Sequence, residues 1–127
     1  MTIQNMKPDE SDEMEKIFKD HPEKFTNEII AAYRAKKIIP GMDPYIASRA
    51  GGQFQYRVDA DPTIWPPATD PIRVIYGQAR RPDASKIWMV FENETQFPEA
   101  GRTRFLVVVE HGMVIAVQKV DSGYRLN

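Results

Sequence analysis

Two β-branched runs near the C-terminus, joined by a short turn, constrain this chain more than any other feature. Arg102 to Glu110 reads R-T-R-F-L-V-V-V-E, His111-Gly112 follows, and Met113 to Val120 reads M-V-I-A-V-Q-K-V. Runs of this kind around a Gly-containing turn specify an antiparallel hairpin, because branched side chains fit a pleated surface and glycine accepts the positive φ of a tight turn. Alternation puts Phe105, Val107 and Val109 on one face and Leu106 and Val108 on the other. Both faces are apolar. The hairpin therefore belongs in a sheet covered on two sides, or in one whose second face is an interface.

Upstream, the pattern turns helical. Asp9 is placed to cap a first helix carrying Met14, Ile17 and Phe18 on one side, and the acids of residues 9–15 suit the positive end of its dipole. Pro22 is expected to open a second helix, along which Phe25, Ile29, Ile30 and Tyr33 recur at helical spacing, with Arg34, Lys36 and Lys37 in its last turn. Asp43-Pro44 predicts a cap and a first-turn proline for a short third helix ending near Ala50, before Gly51-Gly52. Strands are expected at Gln53–Asp59, Ile72–Ala79, Ser85–Glu92 and the two hairpin arms. Between the first two, Pro62, Pro66, Pro67 and Pro71 make a loop too stiff for a flexible linker.

Helices first and strands afterwards, without βαβ alternation, indicate an α+β fold. The expectation is a single domain over 1–127, with residues 1–8 flexible. Two N-terminal helices and the short third one pack on a five-stranded, mainly antiparallel twisted sheet. A chain of 127 residues buries roughly two thirds of its unfolded surface and needs no covalent staple.

Composition excludes several function classes. There is no cysteine, so disulfides, thiolate nucleophiles, cysteine zinc sites and iron–sulfur clusters are out. The formal net charge is −1, and from Gly41 onward acids balance bases, so no nucleic-acid partner is expected, although Arg73, Arg80, Arg81, Lys86, Tyr76 and Trp88 interleave bases with aromatics. No apolar run reaches the length of a membrane span, and no membrane partner is expected. The polar, acidic N-terminus is unlike a secretory leader, which makes the cytoplasm the expected compartment.

Catalytic motifs are missing as well. Ser48 and Ser85 lack a nucleophile-elbow context, and Gly51-Gly52 lacks the later glycine and lysine of a phosphate loop. His21 and His111 stand apart, at a helix junction and a turn. Asp59, Asp61 and Asp70 flank the proline loop, too widely spaced for a calcium loop. No catalytic residue, metal or cofactor is assigned. The residues best suited to binding are Tyr45, Tyr56, Trp65 and Trp88, because Tyr and Trp beside a rigid loop suit an interface or pocket rim, with Asp59 and Glu92 to fix polarity.

Ile38-Ile39-Pro40-Gly41-Met42-Asp43-Pro44-Tyr45 through Ala50-Gly51 resembles the Gly-Met helix opener of the SmpA/OmlA-like (BamE-type) domain. The closing V-V-V-E-H-G-M-V-I-A-V is similar in character to that family's terminal hairpin. The resemblance implies an interaction scaffold rather than an enzyme and transfers no site residue. The chain lacks the family's lipidated cysteine and adds the proline loop. The leading expectation is a small non-enzymatic binding or protein-interaction module that forms a homodimer through its sheet. The alternative is a small-molecule pocket between helices and curved sheet, with a carboxylate or His111 as general acid or base.

Overall fold

A computed structural model describes residues 9–126, the side chains of 9–12 excepted. The flexibility expected of residues 1–8 and the cap expected at Asp9 lie outside the described residues. Helix α1 (Asp9–Asp20) buries Met14 and Phe18, four residues apart, on one face. Pro22 does not open the second helix. It starts a single 3₁₀ turn at Pro22–Lys24, since His21 offers no side-chain cap, and the backbone is extended again at Phe25. Helix α2 (Asn27–Arg34) starts instead from Thr26, whose hydroxyl accepts from the Ile29 N–H at 3.1 Å. Phe18 meets Phe25 and Tyr33 edge-on, which locks α2 to α1.

Asp43 caps α3 (Pro44–Gly51), accepting from the Ile46 N–H at 2.9 Å, and Gly52 ends it at φ 93°. Strand β1 (Phe54–Asp59) follows. The sheet has four strands rather than five, because Ile72–Ala79 is not a strand. Residues Pro71–Gly77 form helix α4, with Asp70 accepting from the Ile72 N–H at 3.0 Å and Pro71 in the first turn. Ile72 and Ile75, three apart, pack on the core, a spacing only a helix brings to one side.

Strands β2 (Lys86–Asn93), β3 (Thr103–Glu110) and β4 (Met113–Val120) complete an antiparallel meander in the order β1-β2-β3-β4. His111 and Gly112 both take positive φ, 52° and 75°, as a two-residue type I′ hairpin turn requires. Buried residues from each of the four helices cluster with Ile87, Met89, Phe91, Phe105, Val107, Val109 and Val114. Those strand residues share one face, so the helices cover one side of the sheet.

Candidate functional site

The side of the sheet that the helices leave uncovered follows from the register. Pairing of Arg57 with Trp88, Trp88 with Val108, and Val108 with Ala116 makes one row across four strands. Gln55, Val90, Leu106 and Gln118 make the next. Trp88, Val90, Leu106, Val108 and Ala116 thus form a continuous apolar centre on this face. Val90 is buried, yet it lies outside the core cluster beneath the helices.

Charged rows close the centre at both ends. Toward the hairpin turn Asp59, Lys86 and Glu110 stand in line, with Lys86 and Glu110 paired at 3.2 Å. At the other end Glu92 accepts from Arg104 at 2.9 Å and from Arg102 at 3.0 Å. The Arg104 bond, with Arg102 assisting against partial burial, holds the Glu92 carboxyl below the usual carboxylate range. Exposed pairs of this kind add little stability, because water and salt screen them. They set the orientation in which a charged partner can approach instead. The Arg57 guanidinium lies 4.8 Å and the Lys86 ammonium 5.2 Å from the centre of the Trp88 ring. Two cations thus bracket the indole, leaving it half-buried at the boundary between apolar centre and charged rim.

Of the residues singled out from the sequence, Trp88, Asp59 and Glu92 share this face. Tyr56 belongs to the helix side of β1, where it is exposed beside Phe54. Tyr45 stands among the helices, edge-on to Tyr76 at 5.6 Å. There it borders a 410 Å³ hollow with Met14, Phe25, His21 and Asp43. Burial pushes the Asp43 carboxyl up, against the pull of the backbone N–H groups it caps. Trp65 is elsewhere again. Among the described residues, no three of His, Asp and Glu gather in a metal-binding set. The sequence did not single out Arg57, Val90, Leu106, Val108 and Ala116 as site residues, although the second apolar face of the hairpin pointed to two of them.

Trp65 anchors the proline loop. Its indole N–H donates to Asp83 at 2.8 Å, and its ring lies so close to Gly77 that a Cβ there would stand 3.0 Å away. Asp83 also accepts from the Gln78 amide at 3.1 Å and the Ser85 N–H at 2.7 Å. The neighbouring Asp61 accepts from Thr63 and from the Ala84 N–H, so its oxygens are engaged within the same junction. Burial raises Asp83, but the bonds from Ser85, Trp65 and Gln78 outweigh it and the carboxyl ends below its ordinary value.

A carboxyl depressed in the folded state contributes stability that is present above its unfolded pKa, near 3.9, and lost as pH falls through the folded value. Asp43, shifted upward, works in the opposite direction over the same acid range. Denaturant unfolding of wild type and Asp83→Asn between pH 2 and 7 separates them, since Asp43 is common to both. The difference is expected to be largest near neutral pH and to shrink as pH falls below the ordinary carboxylate range through the lowered folded-state value. A difference independent of pH would mean that Asp83 acts by shape alone.

No family model, curated protein or solved structure matches this chain. No helix of the described residues is long and apolar enough to cross a membrane.

Proposed function

We propose that this chain is a small non-enzymatic protein-interaction module of the cytoplasm that self-associates through its open sheet face. The observation that carries this reading is the composition of that face. An apolar centre of Trp88, Val90, Leu106, Val108 and Ala116 is enclosed at both ends by charged rows, the anatomy of an interface core and its rim. Four strands of six to eight residues present roughly 500 Å² in projection, which is of the order of the ~800 Å² per partner in a standard interface. A two-fold arrangement brings the same patch together from both copies and closes the assembly at a dimer. Each copy presents both signs of charge at its rims, so neither rim has to meet only its own sign. The scaffold role implied by the SmpA/OmlA-like resemblance points the same way.

Light scattering behind a sizing column tests the reading. Wild type is expected at twice the chain mass of 14.6 kDa at micromolar concentration. Val108→Glu places a carboxylate in the middle of the apolar row and is expected to give a monomer, because a desolvated unpaired charge costs several kcal/mol. Lys16→Glu, on the exposed side of α1, makes a larger change in charge and should leave the dimer intact. Unchanged circular dichroism in Val108→Glu shows that the fold survives. A wild type that stays monomeric at high micromolar concentration overturns the proposal.

A further inference from the structure

The two edges of the sheet differ. On β4, the Gly41 N–H donates to the Val114 carbonyl at 3.0 Å and the Val114 N–H to the Met42 carbonyl at 2.8 Å, which blunts that edge. Beyond β2, no backbone group among the described residues pairs with β1 from Phe54 to Asp59. An unpaired edge is a template for another extended chain. A 570 Å³ depression touches Gln53, Phe54, Gln55 and Tyr56 in succession. Successive strand residues point to opposite faces, so a hollow bordered by all four reaches both faces of β1, and it extends to Val90 and Phe91 of β2 and Arg104 of β3.

The two sides of this depression have different chemistry. Toward the helices, Tyr56 and Phe54 meet Ile72 and Tyr76 of α4 to make an apolar, aromatic wall. Toward the open face lie Glu92, Arg104 and Arg102, one acid against two cations. Glu92 holds Arg102 by its Nε, and both Nη groups of Arg102 are without a partner among the described residues. A planar fork held in this way is set to receive a carboxylate.

We propose that β1 binds an extended peptide segment by strand addition. The peptide places an aromatic or large apolar side chain between Tyr56 and Tyr76 and, at the adjacent position, an acidic side chain on Arg102. Main-chain bonds to β1 supply the bulk of the affinity, and the alternating side chains supply selectivity. A segment of about six residues spans the strand. This site adjoins the apolar centre: Val90 and the rim of Glu92, Arg102 and Arg104 border both, whereas Val108 does not border the depression.

The probe is the fluorescein-labelled, end-capped hexapeptide V-T-F-E-V-T, titrated by anisotropy and by amide NMR. Saturation is expected below about 1 mM, with shifts in residues 53–59 and 72–76. Two N-methylated versions, each blocking alternate amides, separate strand pairing from side-chain adhesion, and one of them should bind at least about tenfold more weakly. Arg102→Gln should weaken the parent peptide about three- to tenfold and leave V-T-F-Q-V-T unchanged. Lack of saturation up to about 5 mM overturns the proposal, as does indifference to both N-methylation patterns or a footprint on Trp88 and Val108. The titration is repeated on Val108→Glu. Loss of dimer with retained peptide binding tells against neither surface, whereas a Val108→Glu monomer that ignores the peptide removes the edge site alone.

Discussion

Phe91→Ala is expected to remove about 3–5 kcal/mol of stability, the range for truncating a fully buried aromatic. Phe91 is 1 % exposed and sits at the centre of an aromatic row on the helix side of the sheet. Its ring stacks on Phe105 at 5.5 Å and tilts against Phe54 at 5.4 Å, so side chains from three adjacent strands depend on it. Phe97 extends the row, edge-on to Phe105, and the Lys119 ammonium lies 5.2 Å from the centre of its ring. Above the row, the end of α3 rests directly on Phe91. A Cβ built on Gly51 would fall 2.5 Å from the ring, so backbone occupies the space a side chain would need. Truncation removes the support of α3 and of both neighbouring rings at once, and close-packed surroundings refill such a hole only in part.

A domain of this size has about 5–15 kcal/mol to lose, so Phe91→Ala takes a large share. The melting temperature is expected to fall by about 10–20 °C. Denaturant unfolding of Phe54→Ala, Phe91→Ala and the double variant measures the coupling directly, expected near 0.5–1.5 kcal/mol for an aromatic pair. Additive losses would show that the rings are held by the backbone and not by each other.

Much of this architecture is legible in the sequence, and the failures have identifiable causes. The hairpin was readable because alternation and turn chemistry agree over adjacent residues. Asp43-Pro44 marks α3, and the same dipeptide recurs at Asp70-Pro71, where the carboxylate accepts from the N–H two residues on rather than three. There the branched residues Ile72, Val74 and Ile75 argue for a strand. The cap prevails because it satisfies a backbone N–H while the core accepts Ile72 and Ile75 from one side. At Pro22 the error runs the other way: a first-turn proline was present, but the hydroxyl that stabilises a helix start stood at Thr26.

The candidate site was less visible still. The second face of the hairpin was apparent from Leu106 and Val108, but the placement of Arg57, Trp88 and Val90 depends on pairing between strands about thirty residues apart, which local patterning does not encode. Trp65 shows the limit of residue type as a guide. Its ring and N–H are both engaged in pinning a loop, and nothing in its neighbours along the chain names Asp83 as the partner.

Gly112→Ala is expected to destabilise the domain by about 2–5 kcal/mol, from two terms that can be measured apart. The first is backbone: Gly112 holds φ at 75°, and a Cβ in that region costs about 1–2 kcal/mol. The second is contact. A Cβ on Gly112 would stand 2.6 Å from the Cβ and 3.0 Å from the Cγ of Pro82, in the turn that leads into β2. Overpacking of this order adds about 1–3 kcal/mol when a rigid ring has to move. Pro82→Gly deletes the two closest atoms and leaves the Pro82 Cα at 3.1 Å, so in that background Gly112→Ala should cost little more than the backbone term. The neighbouring residue supplies a control of opposite sign. His111 also has positive φ, at 52°, and is exposed, so His111→Asn should leave the turn unchanged or stabilise it by up to about 1 kcal/mol. Equal losses at 111 and 112 would mean that turn geometry alone decides stability here. A loss confined to Gly112 and halved by Pro82→Gly would show that the hairpin turn is also the packing contact that seats β3 and β4 against the loop entering β2.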